Sequence, residues 1–149
     1  MQLFKALFIG GKALEDDPEL KMIREKKLKE LMGQQSKPQI PVGVIHMDSE
    51  KFADSIKNSK VPVIIDYSAQ WCGPCRMMAP IFERLARDFA GKVVFGKIDV
   101  DEEPEIARSF GITAVPTFII FKDGKPVERV LGAVGYDRLY QILNKFKEE

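Results

Sequence analysis

The most restrictive feature of this chain is an apolar run, Val61-Pro62-Val63-Ile64-Ile65-Asp66-Tyr67, followed within four residues by Trp71-Cys72-Gly73-Pro74-Cys75. A run that is apolar on both faces predicts a central buried strand of a parallel or mixed sheet. Beyond it, from about Met77 to Phe89, Ile81, Phe82, Leu85 and Phe89 recur at helical spacing. Both cysteines of the chain therefore sit where a strand gives way to a helix. Free N–H groups and the macrodipole at a helix N-terminus favour a negative charge there. A thiol in that position should ionise more readily, and the thiolate is the form that attacks a disulfide. A second thiol one turn inward is close enough to attack the mixed disulfide that results.

A structural bridge and a metal site are the other readings of two cysteines. A four-residue loop closes little chain entropy, so a bridge across it would stabilise the fold weakly. Zinc needs four ligands, and the only histidine, His46, lies well before the pair. The sequence predicts no metal.

With Cys72 and Cys75 in place, the chain resembles the thioredoxin family from about Val42 to Glu149. Trp-Cys-Gly-Pro-Cys matches the family's active site. Asp66, Lys97 before Ile98-Asp99, Val115-Pro116-Thr117, the turn Lys122-Asp123-Gly124-Lys125, and Gly132 occupy the places its pattern expects. Thioredoxin is itself the standard case of a low-pKa, strongly reducing Cys-x-x-Cys pair. One departure is Tyr67-Ser68-Ala69-Gln70, with Ser68 where many members carry tryptophan or threonine; no catalytic group is lost.

The resemblance implies a thioredoxin fold of the α/β class, with a central mixed sheet, helices on both faces, and an added N-terminal helix. It implies a protein-disulfide reductase in which Cys72 attacks, being at the exposed helix end, and Cys75 resolves. Gly-Pro between the cysteines is the reductant's pairing. Oxidants and isomerases on this fold usually carry a histidine there, whose charge stabilises the thiolate and makes the pair more oxidising. The alternatives are such an oxidant or isomerase, or a scaffold subunit working through its N-terminal helix.

Asp66 is the most informative residue outside the motif. A carboxylate in so apolar a strand is costly unless paired or protonated, and burial should raise its pKa. The family assigns its counterpart to proton transfer with the second thiol; the plainer reading is a residue that bonds a loop. Lys97 is placed by the family beside that carboxylate, against the plainer reading of a snorkelling surface lysine. Pro116 resembles the family's cis-proline facing the cysteines. Ala114 and Val115 would pair with an extended client backbone. Trp71, Gly73, Pro74, Gly132 and Ala133 would complete the rim that clients meet, and Met77 and Met78 either extend it or fill helix positions.

The chain should comprise residues 1–41, an extension with one amphipathic helix at about 17–32 and a linker, and 42–149, the catalytic domain. Asp16 or Asp17 is a candidate cap, Leu20, Ile23, Leu28 and Leu31 form a ragged apolar stripe, and Gly33 should end the helix. That helix is read either as packing, with a solvated charged face, or as docking for a partner or a second copy of the protein. Met1 to Gly11 is apolar but too short to span a bilayer, and no basic stretch precedes it as in a signal peptide. A formal charge of +1 gives no electrostatic case for nucleic acid or an anionic membrane. The expectation is a cytoplasmic monomer with no bound cofactor and no stable membrane insertion. Its implied partners are a thioredoxin reductase and client proteins with disulfides.

Overall fold

A computed structural model describes residues 18–36 and 40–147. The chain divides between Gln39 and Ile40 into two compact units. In the first, helix α1 covers Pro18–Ser36, with proline suited to the first turn. It runs through Gly33 instead of ending there; an interior glycine costs a helix only about 1 kcal/mol relative to alanine. Met22, Ile23 and Leu28 are exposed. The candidate caps Asp16 and Asp17, the segment Met1 to Gly11, and the side chain of Leu31 lie outside what is described.

The second part holds five strands and four helices among the described residues. In chain order these are β1 (Val44–His46), α2 (Ser49–Asn58), β2 (Val63–Ser68), α3 (Gly73–Asp88), β3 (Val94–Asp99), α4 (Pro104–Ser109), β4 (Thr117–Lys122), β5 (Lys125–Leu131) and α5 (Tyr136–Phe146). The strands lie in the order β1-β3-β2-β4-β5. β3 runs parallel to both β1 and β2, while β4 is antiparallel to β2 and β5. The mixed sheet is therefore as expected.

Local chemistry accounts for the joints. Asp48 caps α2, its carboxylate accepting from the Lys51 N–H at 2.8 Å. Asp123 and Gly124 both take positive φ, as a two-residue hairpin between β4 and β5 requires. α3 continues through Pro80. β1 is short: its ladder with β3 begins at Val44, and Val42 before it is exposed.

β2 is buried along its whole length, as a strand covered on both faces must be. Ile64 faces α3 and α5, packing among Phe82, Leu85, Phe95, Phe118 and Leu139. Ile65 and Tyr67 face the other way, among Phe52, Ile98 and Ile106 from the α2 and α4 side. Phe82 meets Phe95 edge-on, with ring centroids 5.1 Å apart. Truncating such a residue to alanine costs about 3–5 kcal/mol. On the inner face of α5, Leu139, Ile142 and Leu143 are buried and Phe146 is half-buried.

Candidate active site

The end of β2 delivers Cys72 to the N-terminus of α3, and the two cysteines are joined as a disulfide with Cα atoms 5.2 Å apart. Cys72 is the N-cap: its sulfur accepts from the Cys75 N–H at 3.2 Å. This is the helix-end placement that favours a thiolate. Cys72 is nevertheless only 4% exposed, against 2% for Cys75. The expected exposed helix end is thus corrected: Val115 and Val100 pack over a small cluster of Ala69, Cys72 and Cys75.

Across from the pair, the Val115–Pro116 bond is cis. The Val115 carbonyl oxygen lies 3.7 Å from the Cys72 sulfur. The Thr117 hydroxyl donates to Ala114 O at 2.6 Å, and the Gly132 N–H donates to Pro116 O at 2.8 Å. These bonds tie the loop before β4 to the end of β5. Ala114, Val115, Pro116, Gly132 and Ala133 are thereby brought to one side of Cys72. Ala114 and Ala133 are exposed, Val115 and Gly132 half-buried, and Pro116 is buried.

On the other side, Gly73 and Pro74 are exposed in the first turn of α3. Trp71 is 69% exposed, and its indole N–H donates to Asp101 at 2.8 Å. Asp101 was not singled out from the sequence; it lies in the turn after β3, which Asp99 stabilises by accepting from the Asp101 N–H at 2.8 Å. The two methionines divide, Met77 facing solvent and Met78 entering the core.

Asp66 is fully buried, and neither carboxylate oxygen has a hydrogen-bond partner among the described residues. It stands in register with Lys97 on β3 and lines a cavity with Ala79 and Phe82 of α3, so it faces the cysteine helix. Burial pushes its pKa from the usual 3.8 up to about 7, with the Lys97 ammonium pulling the other way. Tyr67, next in sequence on the opposite face, has a buried hydroxyl that also lacks a partner among the described residues, and burial raises its pKa despite Arg129. Among the described residues no group of three or more His, Cys, Asp or Glu side chains is placed to hold a metal ion.

A strand-to-helix Cys-x-x-Cys, a cis-proline facing it and a tuned carboxyl behind it define a thiol–disulfide exchange protein. The comparisons with known proteins make the class particular. The Thioredoxin family model matches residues 43–145. A thioredoxin of Mycobacterium tuberculosis is 43% identical over 100 residues, covering 67% of this chain and 86% of the relative. A chloroplastic thioredoxin of Arabidopsis thaliana is 43% identical over 108 residues, covering 72% of this chain and 56% of the relative. The crystal structure of a thioredoxin from Nicotiana alata superposes with a TM-score of 0.66 at 38% identity, covering 76% of this chain and 100% of that one. This chain belongs to the thioredoxin family, and its activity is thiol–disulfide exchange through the Cys72–Cys75 pair, in the direction of a protein-disulfide reductase. Its clients are proteins bearing disulfides. Among the described residues no helix is long and apolar enough to cross a membrane.

Proposed function

We infer that Cys72 attacks and Cys75 resolves. The carrying observation is that the Cys72 sulfur caps α3, where N–H groups and the helix dipole hold a thiolate. In the dithiol form, the Cys72 thiolate attacks one sulfur of a client disulfide and the other client sulfur leaves as a thiolate. Cys75 then gives its proton to the Asp66 carboxylate. As a thiolate it attacks the Cys72 sulfur, closes the intramolecular disulfide and expels the client's second thiolate. Asp66 suits this role because a pKa of about 7 lets it take and return a proton near neutrality.

Lys97 keeps Asp66 from becoming too weak an acid, since its ammonium favours the charged carboxylate. The client lies across Trp71, Gly73 and Pro74 on one side and Ala114, Val115, Pro116, Gly132 and Ala133 on the other. Its extended backbone pairs beside the cis-proline. A thioredoxin reductase recharges the couple. The chain works as a monomer in the cytoplasm, with residues 1–41 as an extension to the catalytic domain at 42–149. A compartment that keeps thiols reduced suits a pair with no further cysteine to bridge.

The test is reduction of a protein disulfide with dithiothreitol as donor. Cys72→Ser should abolish turnover and Asp66→Ala should slow it without unfolding the protein. Undiminished turnover in Cys72→Ser overturns the assignment. Cell fractionation checks the compartment, and light scattering checks the monomer.

A further inference from the structure

His46 ends β1 and is in register with Lys97 on β3, which in turn is in register with Asp66 on β2. Residues in register on adjacent strands point to the same face of a sheet. The three side chains therefore form one row across three strands, running from exposed to half-buried to fully buried. Two cavities meet at this row. One, of about 270 Å³, reaches Asp66; the other, of about 300 Å³, reaches Cys75. Among the described residues, His46 and Lys97 are the two that line both.

After each turnover the proton that Cys75 gave up sits on Asp66, which has no hydrogen-bonding neighbour among the described residues to pass it to. We propose that His46 is the proton carrier between Asp66 and bulk water, taking the proton through the cavity they share and releasing it at the exposed end of β1. The imidazole gains the proton that the carboxyl loses and then hands it to solvent, so its own charge is restored. The cavity has room for the few waters such a transfer needs, since a water occupies about 30 Å³.

The other charged groups around Asp66 serve less well. Glu83 and Arg87 of α3 and Lys97 share its cavity, while Arg76, Asp99 and Glu102 line the second. Lysine and arginine hold their protons too tightly to shuttle them near neutrality, and a solvated carboxylate holds one too weakly. Imidazole is the side chain that ordinarily titrates in the neutral range. His46 thus acts on the reaction through Asp66, and the inference depends on Asp66 being the proton acceptor for Cys75.

The experiment follows oxidation of the full-length reduced protein by a model peptide disulfide together with release of the proton to a pH indicator. The chain's one tryptophan, beside Cys72, reports the change by fluorescence. Rates are measured from pH 5 to 8, in dilute non-transferring buffer and with added imidazole. The rate of proton release should fall several-fold in His46→Gln near neutral pH in dilute buffer and recover as imidazole rises, whereas that of the unsubstituted protein should ignore imidazole. A His46→Gln rate equal to that of the unsubstituted protein at every pH, or a deficit that imidazole leaves untouched, overturns the proposal. So does imidazole dependence appearing in Glu83→Gln instead. Asp66→Asn separates the two ideas: it should be slow whatever the imidazole concentration. If it is fast, the role of Asp66 itself fails.

Discussion

Asp66 and Lys97 stand side by side in the parallel ladder of β2 and β3, a fully buried carboxyl next to a half-buried ammonium on one face of the sheet. Desolvation outweighs that neighbour, and the carboxyl titrates near 7. The consequences reach both stability and rate.

A carboxyl whose folded pKa lies above its unfolded one binds protons more tightly when folded. Its contribution is therefore fully present below the unfolded value of 3.8 and is lost as pH rises through about 7. Asp66→Asn should make the protein more stable at pH 8, by up to about 4 kcal/mol at 1.36 kcal/mol per pKa unit. The gain should shrink to a small fraction of that near pH 4. Urea unfolding of both proteins at the two pH values checks the sign and the window. A stability difference independent of pH would remove the raised pKa from the account.

Lys97→Met takes away the charge that opposes desolvation. The Asp66 pKa should rise further, because desolvation is then unopposed by that neighbour. Carboxyl carbon chemical shifts, followed against pH in the oxidised protein, measure this. A lower Asp66 pKa in the variant would reverse the sign of the Lys97 effect.

Cys75→Ser should leave Cys72 able to attack and unable to be released. Incubation with a disulfide client should accumulate a mixed disulfide through Cys72, seen by mass spectrometry and reversed by dithiothreitol. Adducts forming instead in Cys72→Ser would exchange the two roles.

Asp101→Ala removes the partner of the Trp71 indole at an exposed site. The loss of stability should be small, about 0.5–1 kcal/mol for one hydrogen bond. The effect should fall on client binding, raising KM about two- to five-fold for a bond worth that much, with kcat little changed. Steady-state kinetics on a protein disulfide decide it; a fall in kcat alone would place Asp101 in the chemistry.

Much of this was legible from local pattern. The run from Val61 to Tyr67 gave away its double-sided burial because it lacks polar alternation. The helix after Cys72 showed its inner face through Ile81, Phe82, Leu85 and Phe89. The Asp66–Lys97 pairing and the cis bond before Pro116 came from family resemblance, since residues 31 apart in sequence carry no local sign of being neighbours. His46 was legible only as the lone histidine, well before the cysteines. Its place in the row depends on β1 pairing with β3 instead of β2, a non-local choice. Asp101 was hidden for a similar reason, its partner lying 30 residues away. The burial of Cys72 depends on Val115, which the chain returns to the site only after α3, β3 and α4. Gly33 misled because glycine permits a helix to end without requiring it.

The most direct measurement is the reduction potential of the Cys72–Cys75 couple, obtained by equilibrating the protein in thiol–disulfide buffers. A dithiol reductant with Gly-Pro and no histidine between its cysteines should poise well to the reducing side of the isomerases, below about −230 mV. A value at or above about −180 mV, where disulfide isomerases work, would contradict the account and make this chain a source of disulfides.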